Sequence, residues 1–444
     1  MNVTKRFFLL YLMFCFAAVA AGCSREPQKS APVQAPVRSD GAAKSTLLAT
    51  IAEQEKPQSA GSGHNASSSQ TSFYVDFNKT GTGVVYIAEQ DGKLHVVHNG
   101  AAGKLYQSVN NLRISPDGKR VAYVVQVNDK SSLVVDGREG PLYDDIGPPV
   151  FSPDSRHIAY KVQSGEQLHI VVDGKISDGY RRFNGPPAFS SDSTMIAYAE
   201  GAEENRGTRL VVSGLDLKSG KIMESCGDQM VTSSDSNRIA AVCVIGGKAR
   251  AIEFSFSQLQ KITEGPLYEG IGNLTFSRDG TGFSYAAEKG GAVYLIMNGR
   301  EEKLPKAALV SDPVIRPDKK GAGVIMGDPE KVFLHQAFYN DGTKEKNYTM
   351  IEDLAYNGDG SAHAYAALKD KKWRIVVNGK EGPAFDRVVG PLFTPDGKLS
   401  VYRARKDGKR FVVVADADGK TIRQHPSYEQ VFQPVFTSDG KSVA

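Results

Sequence analysis

An all-β fold, a β-propeller of four-stranded antiparallel blades in about 8–9 repeats, is what this 444-residue sequence predicts. Three observations carry that expectation. A short unit recurs along the chain, its copies stand one blade-length apart, and no stretch of the repeat region sustains a helical period. Two other segments precede the repeats, and the chain reads in order as 1–22, 23–71 and 72–444.

The first segment, MNVTKRFFLLYLMFCFAAVAAGC, places Lys5 and Arg6 before an apolar run, Phe7 to Ala21, that is short for a bilayer span. It closes on Ala20-Ala21-Gly22-Cys23. This resembles a bacterial lipoprotein signal, although the family more often has Leu or Val where Ala20 stands. The resemblance implies cleavage before Cys23 and a diacylglycerol on its thiol; an ordinary signal peptide with Cys23 incidental is the alternative. Ser24, not Asp, follows the cysteine, and the resemblance then implies an outer-membrane anchor facing the periplasm.

Residues 24–71 are rich in Ser, Ala, Gln, Pro and Gly, as in SREPQKSAPVQAPVRSDG and SAGSGHNASSSQ. Such a composition buries too little apolar surface to offset ordering entropy, so a flexible, disordered linker is expected. A tether of ~48 residues spans roughly 35–40 Å as a random coil.

The unit itself reads NLRISPDGKRVAYVVQ from Asn111, PPVFSPDSRHIAYKVQ from Pro148 and PPAFSSDSTMIAYAEG from Pro186. It returns at Gln229, Asn273, Asp312, Asp353, Gly390 and Gln433, with a degenerate copy from Ser72. Copies stand 37–44 residues apart, the length of a four-stranded blade. A short apolar strand A meets a Ser-Pro-Asp-Gly turn, where Pro presets φ and Gly supplies positive φ. Strand B alternates, as in Val121, Tyr123, Val125. Strand C (Leu133-Val134-Val135, Leu168–Val172) then closes on strand D through Asp136-Gly137, Asp173-Gly174, Asn298-Gly299 or Asn378-Gly379. Nine full units fit before a final hairpin, with 201–227 and 327–351 read either as degenerate blades or as insertions.

The Ser-Pro-Asp-Gly repeat resembles the WD-repeat-like propellers of the TolB type and those of prolyl oligopeptidases, over 72–444. That resemblance implies a fold and not an activity, because such propellers host unrelated tasks. A second motif, EGPLYDDI from Glu139, EGPLYEGI from Glu264 and EGPAFDRV from Glu381, is read as shaping the outer strand. The strand-B tyrosines, Tyr86, Tyr123, Tyr160, Tyr198, Tyr285, Tyr365 and Tyr402, are read as packing between blades.

Chemistry is sparse. Lys plus Arg exceeds Asp plus Glu by 54 − 50 = 4, with 23% charged residues and one Trp, which excludes a typical nucleic-acid binder. No G-x-S-x-G elbow, Walker loop, dinucleotide fingerprint or zincin pair occurs, and the eight histidines are scattered. The expectation is no enzyme, no metal and no cofactor. Cys226 and Cys243 fall opposite each other on one hairpin, which allows a disulfide, two free thiols being the alternative. The B–C loops carry mixed charge: Asp129 and Lys130, Glu166, Glu203, Glu204 and Arg206, Lys289, Asp370, Lys371 and Lys372, Lys406 and Asp407. Mixed signs suit protein contact. The expected function is a lipid-anchored envelope scaffold that binds a protein partner and meets the membrane through its N-terminal lipid. A periplasmic small-ligand sensor, or an enzyme subunit using the channel mouth, is the alternative.

Overall fold

The computed structural model describes residues 56–57, 75–78 and 83–436, with short breaks of which 202–207, 257–260 and 332–334 are the longest. The predicted linker, apart from Lys56–Pro57, and Cys23 therefore lie outside the described residues. One compact unit is Leu48–Ala444, and its described residues form nine antiparallel sheets in which strands A, B, C and D lie side by side in chain order, strand A being in two pieces in the first, third, sixth and seventh. In the second sheet, Val109–Ile114, Val121–Val127, Lys130–Val135 and Arg138–Tyr143 follow one another as strands A to D. The doubtful stretches are blades. Thr208–Gly214 with Gly220–Glu224, and Gln336–Asn340 with Thr343–Tyr348, are strands C and D of the fourth and seventh sheets.

Strand B explains why the sheets stack. Its residues alternate sides, yet both sides are apolar. Val121, Tyr123 and Val125 pack with Val85 and Ile87 of the first sheet, while Ala122 and Val124 pack with Ile158 and Tyr160 of the third. The same hand-over recurs from sheet to sheet, ending with Tyr365 against the seventh and Ala364 and Ala366 against the ninth. All seven strand-B tyrosines are buried. Consecutive sheets joined face to face in this way, each of four up-and-down strands, make a β-propeller.

The Ser-Pro-Asp-Gly turn is held by its own side chains. Ser115 Oγ donates to Asp117 Oδ1 (2.6 Å) and accepts the Arg120 N–H (2.9 Å), and Asp117 Oδ1 accepts the Lys119 N–H (3.0 Å). The pattern repeats at Ser152, Ser190, Ser277 and Thr394. The hydroxyl bond is the main reason the Asp117, Asp192 and Asp396 carboxyls sit below the usual carboxylate range. At the C–D turns both residues take positive φ, 51° and 79° at Asp136 and Gly137, as a type I′ turn requires. Asp136 Oδ1 accepts the Val121 N–H (2.9 Å), tying this turn to the start of strand B.

Strand A departs from the sequence reading. It is split or bulged wherever it is described. Register shifts fall at Asn110/Arg113, Asn184/Ala188, Cys226/Met230, Glu352/Ala355 and Val389/Leu392. Asn111, Gly185, Gly227, Asp353 and Gly390 take positive φ there, as bulge residues do. In the first sheet Lys56–Pro57, well before Ser72, pairs with Glu89 and Ala88. Proline has no N–H to donate, and an edge position suits it. Cys226 and Cys243 face each other across strands A and B of the fifth sheet, both buried, and are joined as a disulfide.

Candidate functional surface

Chain direction places the A–B and C–D turns at one end of every sheet and the B–C and D–A connections at the other. The B–C end carries the charged loops singled out from sequence. What holds it together begins with an aromatic residue that follows strand D.

Tyr106, Tyr180, Tyr268 and Phe385 each bridge back onto strand C of their own sheet. Their rings pack on the strand-B tyrosine of the next sheet: Tyr106 on Tyr123, Tyr180 on Tyr198, Tyr268 on Tyr285 and Phe385 on Tyr402, at centroid distances of 6.1–6.4 Å. At Tyr106 and Tyr268 the hydroxyl reaches a glutamate on strand D of that next sheet, and Tyr348, which ends strand D of the seventh sheet, does the same; Tyr180 instead meets Glu200 on strand B of the fourth. Tyr106 donates to Glu139 (3.0 Å), Tyr268 to Glu301 (2.7 Å) and Tyr348 to Glu381 (3.2 Å). Burial, the glutamate bond and the facing tyrosine all push the Tyr106 and Tyr268 hydroxyls up. In two of its three copies, at Glu139 and Glu381, the Glu-Gly-Pro-aromatic motif therefore supplies the glutamate of an inter-sheet fastening, while Glu264 pairs with Arg250 of its own sheet.

The acidic residue after that aromatic does a second job. Asp144 Oδ2 accepts the Gly165 N–H (2.6 Å), Glu269 Oε1 the Gly290 N–H (3.2 Å) and Asp386 Oδ2 the Asp407 N–H (2.8 Å). Each is the B–C turn of the following sheet. The same carboxylates hold lysines of the preceding sheet, Lys130 on Asp144 (3.3 Å) and Lys372 on Asp386 (2.6 Å). The turn N–H of Gly165 is the main cause of the lowered Asp144 pKa, and Lys372 of the lowered Asp386 pKa. Lys372 is raised in return.

The residues singled out from sequence divide accordingly. Lys130 and Lys372 are engaged in these links, Lys289 pairs with Glu301 (3.5 Å), and Asp407 supplies a backbone N–H. Asp129, Glu166, Asp370, Lys371 and Lys406 extend exposed from the same turns. Glu203, Glu204 and Arg206 lie outside the described residues. The fifth sheet differs: its B–C turn is Gly246-Gly247, strand B runs into it through Val244 (39% exposed) and Ile245 (47% exposed), and Leu267, next to Tyr268 in sequence, is exposed too. This apolar step among charged turns escaped a reading that looked for charge.

A second feature lies at the A–B and C–D end. A cavity of about 510 Å³ between the seventh and eighth sheets is lined by Arg316, Asp318, Asn340, Asp359, Gly360, Ser361, His363 and Asn378. None was singled out from sequence as a binding residue. The signal was present in the columns of the repeat, where three of these residues break the pattern.

No family model and no curated protein sequence matches the chain. It is similar to a solved eukaryotic initiation factor structure at 11% identity, covering 79% of this chain and 96% of that one, with TM-score 0.48. TolB from Acinetobacter baumannii aligns at 15% identity over 61% and 79% of the two chains, TM-score 0.28. The β-propeller domain of the Trilobed protease from Pyrococcus furiosus aligns at 15% over 71% and 96%, TM-score 0.34. At these identities the likeness is one of fold alone.

Proposed function

We propose that this chain is a lipid-anchored β-propeller of a bacterial envelope that binds a protein partner through its B–C end. One observation carries the reading: three turns at that end are fixed in backbone, and exposed charged side chains stand on them and on other turns of the same end. Asp144, Glu269 and Asp386 hold the turns of the third, sixth and ninth sheets; Glu166 and Lys406 project from two of these, while Asp129, Asp370 and Lys371 stand next to Lys130 and Lys372, which pair with Asp144 and Asp386. Side chains presented on a pre-ordered backbone lose less entropy on association, and mixed signs select partners more than they attract them. The exposed Val244 and Ile245 add the apolar centre that a charged rim alone lacks. Cys23 would anchor the unit to the membrane, and a tether of that length would raise the effective concentration of a partner in the same bilayer.

The test is affinity capture from crosslinked envelopes with full-length protein, a Cys23→Ala form and a Val244→Asp/Ile245→Asp form. A stoichiometric protein partner captured by the first, weakened in the second and lost in the third is the expected result. Equal recovery by all three forms, or no partner above background, refutes the proposal.

A further inference from the structure

We propose that the cavity between the seventh and eighth sheets is a binding site for a small neutral saccharide. The repeat supplies its own control, because each position has counterparts in the other sheets. The first residue of the A–B turn is Ser115, Ser152, Ser190, Ser233, Ser277 or Thr394, or Asn78 and Asn357, all short side chains that bond within the turn; only the seventh sheet has Arg316. The sixth residue after that one, at the start of strand B, is Val84, Val121, Ile158, Ile196, Ile239, Phe283 or Ala322, with Ser400 in the ninth sheet; the eighth has His363. The strand-C residue paired with the second strand-B position is Val135, Val172, Val212, Met297, Val377 or Val414; the seventh sheet has Asn340. The other polar occupants of that last position are His98, which bonds Gly118 O (2.9 Å), and Glu253, which pairs with Arg238.

All three exceptions line one cavity. The fold does not ask for them, since most of its other sheets form with a short hydroxyl or amide side chain at the turn and apolar residues at the two strand positions. Burying polar groups costs stability, so their convergence calls for a use at the surface they share. The site is also built. His363 is only 8% exposed, its ring packs on Phe338 (4.9 Å), and its Nε2 lies 2.7 Å from Glu345 Oε1. Glu345 accepts the Tyr365 hydroxyl (2.8 Å), and Tyr356 donates to Asn340 Oδ1 (2.7 Å). Gly323 makes room beneath: a Cβ there would lie 2.5 Å from the Phe338 ring and 2.6 Å from the Tyr356 hydroxyl.

The lining sets the ligand class. Every lining side chain is polar, which excludes an apolar guest. The Arg316 guanidinium already forks onto Asp318 (2.8 and 2.9 Å), and Asp359 adds a carboxylate, so a free anion meets repulsion. No group of three or more His, Cys, Asp or Glu could hold a metal among the described residues. Two carboxamides, a serine hydroxyl, an imidazole and carboxylates together match groups that both donate and accept, which is what a ring of sugar hydroxyls offers. The volume falls in the range of small-ligand sites, roughly 300–1,000 Å³.

The experiment uses the full-length chain in a detergent without a sugar headgroup. Glucose, N-acetylglucosamine and their β-1,4-linked dimers are screened by saturation-transfer NMR, with spermidine and inorganic phosphate beside them. Binding of at least one saccharide is expected. His363→Val and Asn340→Val, which restore the residues of other sheets, should weaken that binding at least tenfold while the urea midpoint holds or rises. Asp359→Asn should weaken it with the fold retained, since the amide oxygen can still accept the Ser361 N–H that Asp359 now accepts at 2.9 Å. The proposal is overturned if no saccharide binds, if only spermidine or phosphate does, or if all three variants bind as the parent does.

Discussion

Glu381 is the node at which the seventh and eighth sheets are fastened, and removing its charge tests how that fastening works. Its carboxylate accepts the Tyr348 hydroxyl from the seventh sheet (3.2 Å), Lys369 Nζ (3.2 Å) and Arg374 Nη1 (2.6 Å). Side-chain exposure is 19% for Glu381 and 16% for Arg374, so neither charge is freely hydrated. Burial alone would raise the Glu381 pKa; the bonds from Arg374 and Lys369 outweigh it and leave the group below its ordinary value. Glu381→Gln keeps an acceptor for Tyr348 but leaves Arg374 without its counter-charge. Breaking a fully buried pair costs about 3–5 kcal/mol, and partial exposure brings the expected loss here to about 2 kcal/mol at pH 7. Tyr348→Phe removes one hydrogen bond to a charged group, about 1.5 kcal/mol, and the double variant should fall short of the sum because both act on one carboxylate.

The pH dependence follows from the direction of the shift. A carboxylate with a lowered folded-state pKa stabilises the fold above its unfolded value, about 4.3, and this is lost as pH falls through the folded value. The difference between parent and Glu381→Gln should therefore be full at pH 7 and shrink below about pH 4. Urea unfolding at a series of pH values reads it. A difference under ~0.5 kcal/mol at pH 7, or one that stays constant with pH, refutes the reasoning.

Three further outcomes are expected. Asp386→Ala should speed amide exchange at Asp407, whose N–H it now accepts at 2.8 Å, and leave turns of distant sheets unchanged; unaltered exchange there would show the carboxylate is not what holds the turn. Gly323→Ala forces a Cβ to within 2.5 Å of Phe338 and should cost about 1–3 kcal/mol as overpacking, so undiminished stability would contradict the tight approach. Cys226→Ser/Cys243→Ser removes a link closing a separation of 17 residues and should cost about 3 kcal/mol, read as the change in urea midpoint between oxidised parent and variant.

The blades were legible because their turns are written in side chains that act locally. Ser115 and Asp117 close an A–B turn within six residues, and Asp136-Gly137 closes a hairpin within two, so spacing and residue type sufficed. Strand A was less legible. Asn111 or Asp353 in a short apolar run is only a weak mark of a bulge, and the partners of these side chains, Ile146 O and the Gly390 N–H, lie about one unit further along the chain. The fastenings were half visible: the Glu-Gly-Pro-aromatic motif stood out, but its glutamate answers a tyrosine one blade earlier, beyond any local window. His363 and Asn340 look ordinary in the linear chain. They become exceptional only when the repeats are laid against one another.

Those fastenings share a fixed stride. The tyrosine-to-glutamate bond spans 33 residues in three places, and the carboxylate that holds the following B–C turn reaches 21 residues ahead in three. The first grip joins the first sheet to the second, the fifth to the sixth and the seventh to the eighth; the other joins the second to the third, the fifth to the sixth and the eighth to the ninth. Where a unit and its successor already carry both halves of a grip, the joint depends on spacing alone, so a gene of this kind can lengthen by duplicating such a pair without first inventing a new joint. The freedom this leaves is specific: individual units can drift at their solvent-facing ends, as Val244-Ile245 and Arg316 have, while the shared joints keep them in the array.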